Sequence, residues 1–216
     1  MTGVSWMLFW AALISAPGYL MMTLKPESVL RSVIKVLPAA CLACAAYVAG
    51  ASPYLTSALV FAGLGDAALS RSGRVAFLYG LSAFALSHLT FILLFLGLGG
   101  AAMWEAFAIS PLLASAMLAA ALSTELWLTP HTGAMRWPVR GYIALIAAMG
   151  LTALTVPAAT VLLPLGVVCF MVSDGILSIA LFRLNSGTAR YNLAARLLWV
   201  FYVAALALIF LGTSGL

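Results

Sequence analysis

Residues 158–182 read AATVLLPLGVVCFMVSDGILSIALF, an apolar stretch with a single charged side chain, Asp174. A transmembrane helix needs about 20 consecutive, mostly apolar residues, so this stretch is long enough to cross a bilayer. An ionised aspartate in the middle of such a helix costs about 2.5–3.5 kcal/mol against lipid. The stretch therefore predicts a membrane-spanning helix. The unfavourable free energy of its buried carboxyl group indicates that Asp174 has a functional or structural role.

The same character extends over the whole chain, which is 65% hydrophobic and 7% charged and has a mean hydropathy of +1.18. A soluble domain carries roughly 25% charged residues, so lipid is the expected solvent. The sequence predicts an all-α polytopic membrane helical bundle that forms a single integral-membrane domain over residues 1–216. The pattern gives eight transmembrane helices, near residues 4–24, 29–50, 53–71, 75–97, 102–124, 138–156, 158–182 and 191–212.

The basic residues predict the orientation of this bundle. All 10 Lys and Arg lie in or beside the first, third, fifth and seventh loops. Cytoplasmic loops are enriched in Lys and Arg, so both termini are expected on the outer side of the membrane. A bundle of seven spans would place these positive charges on both faces of the membrane, so eight spans are preferred. The net charge of +5 thus indicates topology and an attraction to anionic lipid heads. No nucleic-acid partner is expected, because no loop clusters basic residues with aromatics.

A second aspartate, Asp66, lies inside the third predicted span. The segment Asp66-Ala-Ala-Leu-Ser70 echoes Asp174-Gly-Ile-Leu-Ser178 in the seventh. The two spans run in the same direction, which is consistent with a four-plus-four parallel internal repeat about an axis along the membrane normal. At 1.5 Å of helix rise per residue, the two carboxyl groups lie roughly 8 Å and roughly 13 Å inside the cytoplasmic ends of their helices. We therefore expect both of them to face one cavity.

This carboxyl pair is the strongest candidate for chemistry. An unpaired carboxyl group in hydrocarbon tends to stay protonated, and a protonated carboxyl beside an ionised one can perform acid–base catalysis. Two other readings stay open: hydrogen-bonded structural glue between helices, and a proton relay in a transporter. Gly63-Leu-Gly-Asp66 also matches a short pattern of intramembrane aspartyl proteases, although there the motif aspartate is generally the second of the pair.

Four further polar residues fall within the predicted spans. His88 is either a satisfied core residue or a neutral hydrogen-bond partner in the same cavity. Lys35 either snorkels to the interface or meets a phosphate. Tyr142 and Tyr202 each bring a hydroxyl group into an apolar helix, where it needs a partner, and anchoring at the interface explains Tyr142 equally well.

No metal or cofactor is expected. Cys41-x-x-Cys44 has no accompanying second pair of metal ligands. The two cysteines are therefore better interpreted as small apolar side chains that pack between helices. A glycine-rich phosphate loop, a zinc-spacing motif and a serine nucleophile elbow are all missing from the sequence.

Several short segments follow one another in a specific order and spacing. They are Lys35-x-x-Pro38, Gly65-Asp66-Ala-Ala-Leu69 with Phe77-x-x-Gly80-Leu81-x-x-Phe84-x-x-x-His88, Pro138-Val-x-x-Tyr142, Phe170-Met-Val-Ser173-Asp174-Gly-Ile-Leu177 and Trp199-x-x-Tyr202. Together they resemble the lysoplasmalogenase (YhhN-like) family of eight-span membrane proteins. The resemblance covers nearly the whole chain and implies a multi-pass protein of the cytoplasmic (inner) membrane of a bacterium.

The resemblance implies an ether-bond hydrolase that acts on lysoplasmalogen, an alkenyl-glycerophosphoethanolamine or -choline. The products would be a fatty aldehyde and glycerophosphoethanolamine or glycerophosphocholine. A vinyl ether is cleaved by protonation of its β-carbon, and the resulting oxocarbenium ion resembles the one that glycosidases meet with two carboxyl groups. Either Asp66 or Asp174 could be the acid, with Asp174 favoured because it lies deeper.

The expected partners are a lysophospholipid substrate and membrane lipid, and the sequence leaves the oligomeric state open. The residues expected to bind substrate are Lys35, His88, Tyr142, Ser173 and Tyr202. Two functions compete with hydrolysis: a proton-coupled membrane transporter that uses the paired aspartates, and a non-catalytic lipid-binding scaffold.

Overall fold

The computed structural model describes residues 2–157 and 160–213, and within them the fold is all-helical. The α-helices are α1 (Gly3–Met22), α2 (Val29–Val48), α3 (Pro53–Ala68), α4 (Arg74–Gly97), α5 (Ala106–Ile109), α6 (Pro111–Trp127), α7 (Arg136–Ala153), α8 (Leu162–Phe182) and α9 (Ala189–Thr213). Three short 3-10 turns lie at Met103–Glu105, Thr129–His131 and Gly133–Met135. The all-α prediction is confirmed.

Helix starts follow from local side-chain chemistry. The hydroxyl of Ser28 accepts a hydrogen bond from the backbone N–H of Arg31 and so caps α2. Proline occupies the first turn of α3, at Pro53, and of α6, at Pro111, where a missing N–H costs nothing. After α2 the chain turns at Gly50, whose φ of 67° suits a residue without a side chain.

The predicted fifth span, 102–124, differs most from the observed helices. Its first part forms only the short helix α5, and α6 then runs from Pro111 to Trp127. The break falls at Ser110, which has φ −139° and ψ 68°. Because the ring of a proline clashes with a helical residue before it, Pro111 forces Ser110 out of the helix. The predicted start of the seventh span, at residue 158, lies outside the described residues.

Among the described residues, six helices are long and apolar enough to cross a membrane. They are Gly3–Met22, Val29–Val48, Arg74–Gly97, Pro111–His131, Leu162–Phe182 and Ala189–Thr213. They indicate a multi-pass membrane protein. Helices α3, with 16 residues, and α7, with 18, are not among the six. The count of eight spans, the orientation and the internal repeat therefore stay predictions.

The longer helices close into a ring. Helices α1 to α4 pack on one another in chain order, α4 packs on α7, α7 on α8 and α8 on α9, and α9 returns to α1 and α2. Helix α6 packs on α7 at the outside of this ring. The ring surrounds Asp66 of α3 and Tyr202 of α9, which are both buried, whereas α6 borders α7 and is largely exposed.

Glycines allow the backbones of α8 and α9 to approach closely. A Cβ atom added at Gly166 would lie 2.8 Å from the backbone nitrogen of Ile209. A Cβ atom at Gly212 would lie 2.8 Å from the backbone nitrogen of Leu163. Small residues of this kind let membrane helices approach closely and gain van der Waals contact.

Gly166→Ala should therefore destabilise the protein by about 1–3 kcal/mol, because the backbone of α9 must move to accept the methyl group. The matched control is Gly175→Ala in the same helix, where an added Cβ meets nothing within 4 Å. Thermal unfolding in detergent compares the two variants. Equal midpoints would show that the α8–α9 contact is not as tight as the structure gives it.

Candidate active site

A cavity of about 360 Å³ lies inside the ring and is called here the polar cavity. Its charged lining residues are Glu27, Arg31, Lys35, Asp66, Arg71 and Asp174. It extends from the interior of α3 and α8 to the loops that follow α1 and α3. The structure thus brings both aspartates, from helices far apart in the sequence, to one cavity.

Asp66 is 2% exposed and has two polar partners from other helices. The Tyr202 hydroxyl, on α9, donates a hydrogen bond of 2.6 Å to Asp66 Oδ2. The Lys35 ammonium, on α2, lies 3.6 Å from Asp66 Oδ1. Lys35 is only 7% exposed, so its side chain points to Asp66 inside the bundle instead of snorkelling. Asp66 and Lys35 form a buried ion pair.

Asp174 has a different set of partners. The Tyr142 hydroxyl, on α7, donates a hydrogen bond of 2.7 Å to Asp174 Oδ2. His88 Nε2, on α4, lies 3.2 Å from the same oxygen and 2.8 Å from the Tyr142 oxygen. Because the tyrosine proton is already given to Asp174, we assign the Nε2–H tautomer to His88, which donates to both oxygens. Tyr142 and His88 therefore both donate a hydrogen bond to the same carboxyl oxygen, Asp174 Oδ2.

The other carboxyl oxygen, Asp174 Oδ1, accepts no hydrogen bond within the described part of the chain. His88 itself is 0% exposed, and its Nδ1 is buried without a hydrogen-bond partner among the described residues. An unprotonated ring nitrogen is an acceptor, which agrees with the Nε2–H tautomer. The arrangement fixes the orientation of Asp174 and leaves one oxygen available for a proton.

Aromatic rings separate the two polar groups. Phe170 lies between them, with its ring centroid 4.8 Å from His88 and 5.8 Å from Tyr202. Phe84 packs edge-on against Tyr202 at 5.8 Å. Gly65 is needed here, because an added Cβ would lie 2.6 Å from the Phe84 ring. The aspartates thus share a cavity but have separate hydrogen-bond networks.

The remaining predicted site residues have distinct positions. Ser173 lines the polar cavity, but its hydroxyl donates to the carbonyl of Leu198 at 3.2 Å and so joins α8 to α9. Tyr202 and Lys35 line the polar cavity beside Asp66. His88 lies behind Asp174 and is not part of the cavity wall.

Arg31 is a site residue that the sequence reasoning missed. Its guanidinium donates to the carbonyls of Met22 and Thr23 at 3.2 Å each, and of Ser70 at 3.3 Å. It also donates to the Tyr19 hydroxyl at 3.2 Å. In the sequence, Arg31 is one of the 10 basic residues that indicate orientation, but its position four residues before Lys35 places both cations on one helix face.

Two carboxyl groups in unlike surroundings can take unlike roles in acid–base chemistry. Asp66 has an ammonium counter-ion at 3.6 Å, whereas Asp174 is held by a neutral hydroxyl and an imidazole. Such a site can donate a proton from one carboxyl group and stabilise a developing cation with the other.

Comparisons with known proteins bear on this chemistry. The sequence matches the YhhN family over residues 30–213. It is 32% identical over 162 residues to proteins named lysoplasmalogenase from Mycobacterium bovis and from Mycobacterium tuberculosis. The matches cover 74% of this chain and 59% of each relative, so the chain spans less than two thirds of these relatives' length. No solved structure matches significantly.

Proposed function

Because the chain belongs to the YhhN family, we propose that it is a membrane-embedded hydrolase that cleaves the vinyl ether bond of lysoplasmalogens. The products are a fatty aldehyde and glycerophosphoethanolamine or glycerophosphocholine. The observation that carries the proposal is that Asp66 and Asp174 line the same cavity in different surroundings. The curated relatives named lysoplasmalogenase support the reaction class.

The reaction adds one water across the vinyl ether. A proton is added to the β-carbon of the double bond, and the electron pair of that bond forms the new C–H bond. The ether oxygen shares the positive charge of the resulting oxocarbenium ion. Water attacks the cationic carbon and gives one proton to the carboxylate that protonated the substrate, which restores the acid and leaves a hemiacetal. The hemiacetal then transfers the proton of its own hydroxyl group to the glycerol oxygen, which leaves as a hydroxyl group, and the aldehyde remains.

Asp174 is proposed as the acid. Its Oδ2 accepts hydrogen bonds from Tyr142 and His88, so its Oδ1 is the oxygen that carries the proton to the substrate. Asp66, with its Lys35 counter-ion, stabilises the oxocarbenium ion and orients the attacking water. The Tyr202 hydroxyl fixes the rotamer of Asp66 through its hydrogen bond to Oδ2.

The other predicted substrate-binding residues take supporting roles in this proposal. His88 and Tyr142 act through Asp174 as positioning residues, because their polar atoms are directed at its carboxyl group. Lys35 acts first as the counter-ion of Asp66 and contributes positive charge to the polar cavity. Ser173 keeps α8 in register with α9 next to Asp174.

We further propose the full eight-span topology with both termini outside, in the cytoplasmic membrane of a bacterium. Helices α3 and α7 each pack between two longer apolar helices of the ring, which supports counting them as spans. The four-plus-four repeat stays part of this proposal, supported by the sequence echo at the two aspartates. The rival transporter function is not favoured, since the relatives are named as an enzyme.

Isotope labelling of the purified protein tests the reaction. With a lysoplasmalogen in D₂O, the released aldehyde should carry one deuterium on the carbon beside its carbonyl group. In ¹⁸O-labelled water, the glycerophospho product should contain no label, because water attacks the alkenyl carbon. The saturated ether analogue is the control and should remain intact. Absence of aldehyde from ethanolamine and choline lysoplasmalogens alike would contradict the proposed function.

A further inference from the structure

We propose that the substrate is held by two cavities that meet at Asp174, with its hydrocarbon chain in an apolar cavity beside α6 and its head group in the polar cavity. This inference rests on the proposed function and names the site for each half of the substrate. It also fixes the orientation of the substrate in the site. The hydrocarbon chain of the substrate then passes α6 when it moves from the bilayer into the protein.

The apolar cavity has a volume of about 360 Å³ and lies between α6 and the α7–α8 pair. Its wall includes Met117, Ala120, Ile143, Ile146, Val168 and Met171. Its lining residues on α6 run from Leu113 to Trp127, so the cavity follows this helix for about 20 Å. A long apolar space of this kind fits a single hydrocarbon chain.

Asp174 is the one residue, among those the structure describes, that lines both the apolar cavity and the polar cavity. A small third cavity of about 30 Å³ lies between them. Its wall combines Asp174, Tyr142 and Ile143 from the apolar side with Phe84 and Leu177 from the side of the polar cavity. Asp174 therefore lies where the three cavities meet.

A lysoplasmalogen has one place where chain and head group join, and that place is the vinyl ether. The group is flat and thin, because its carbons and oxygen lie in one plane. A substrate with its chain in one cavity and its head in the other has this bond where the cavities meet. The bond then lies beside the carboxyl group that we propose as the acid.

The charges of the polar cavity suit the head group. Arg31 and Arg71 supply positive charge for a phosphate, since the charge of Lys35 is paired with Asp66, and Glu27 supplies negative charge for an amine. Arginine binds phosphate oxygens through charge-assisted hydrogen bonds. The apolar cavity has no charged lining residue besides Asp174 within the described chain, so the reverse orientation would place a phosphate against hydrocarbon.

The apolar cavity determines where the hydrocarbon chain of the substrate lies and contributes little to the binding affinity. A chain that moves from the bilayer into the cavity exchanges one apolar surrounding for another, so the hydrophobic gain is small. Steric fit then decides which chains are accepted. Ala120 lines the cavity and is exposed in the structure, and its small side chain keeps the space beside α6 open.

The test compares Ala120→Phe with Ala119→Phe on substrates of different chain length. Ala119 is the next residue of α6, is exposed, and lines none of the three cavities. Ala120→Phe should lower kcat/KM for a long-chain substrate by at least about tenfold relative to a water-soluble substrate with a chain of a few carbons. Ala119→Phe should keep the wild-type ratio.

Photo-crosslinking of the wild-type protein covers the case in which Ala120→Phe does not fold. The probe is a saturated single-chain ether phospholipid with a diazirine near the end of its chain, which the enzyme does not need to cleave. Labelling should concentrate on α6 around Met117 and on α8 around Val168. Labelling of α1 and α2 instead, or equal chain-length ratios in the two phenylalanine variants, would overturn the inference. Absence of aldehyde from the wild type would instead overturn the proposed function.

Discussion

Asp174→Asn should lower kcat for vinyl ether cleavage by about 10²–10⁴-fold, the usual contribution of a general acid. An amide has almost the shape of the carboxyl group and can still accept hydrogen bonds from Tyr142 and His88. It cannot deliver an acidic proton to a carbon atom. The loss should therefore appear in turnover, measured as initial aldehyde release under saturating substrate, while substrate binding stays close to that of the wild type.

The control for this variant is Glu105→Gln, the same change of carboxyl to amide at an exposed position before α5. It should retain wild-type turnover. Thermal unfolding of both variants in detergent checks that neither has lost its fold. If Asp174→Asn were to turn over substrate within a few-fold of the wild type while folded, Asp174 would not be the acid. Asp66 would then be the remaining candidate for the acid.

The sequence alone is enough to single out the two aspartates as candidate site residues. A carboxyl group in hydrocarbon is expensive, so Asp66 and Asp174 stand out without any knowledge of the fold. Their depths in parallel helices also predicted a shared cavity, and the structure places both in the wall of the polar cavity. Their catalytic roles, in contrast, remain a proposal.

The partners of the aspartates could not be predicted in the same way. Tyr202 is 136 residues from Asp66 in the sequence, and His88 is 86 residues from Asp174. A hydroxyl or imidazole in an apolar helix indicates that it needs a partner, but helix periodicity does not say which helix supplies it. The packing of α7 on α4 and α8 brings Tyr142 and His88 to Asp174, and the Tyr202 hydroxyl of α9 reaches Asp66 of α3 inside the ring.

The break before α6 shows a different limit of sequence reasoning. Averaged over a window, the hydropathy of residues 102–124 indicates one continuous apolar stretch. Such an average contains no information about backbone conformation. Pro111 carried the missing signal, since the residue before a proline is disfavoured in a helix. The consequence is functional in our proposal, because α6 begins at this break and forms one wall of the apolar cavity.

Lys35→Met should destabilise the protein by about 3–5 kcal/mol, the usual effect of removing one partner from a buried ion pair. The substitution leaves the carboxylate of Asp66 buried without its ammonium, which lies 3.6 Å away in the wild type. Adding Asp66→Asn to Lys35→Met removes the unpaired charge and should restore most of the stability. Equilibrium unfolding in mixed detergent measures the single variants and the double variant, and the cycle gives the coupling between the two residues.

The double variant also separates stability from catalysis. If Asp66 serves the reaction as a carboxylate, Lys35→Met/Asp66→Asn should be folded and stable and yet release aldehyde far more slowly than the wild type. If Asp66 and Lys35 only join α2 to α3, the restored stability should bring back activity as well. Lys25→Met, at an exposed position in the loop after α1, is the control for loss of a positive charge and should unfold like the wild type. A Lys35→Met protein as stable as Lys25→Met would show that the pair is not buried as the structure describes it.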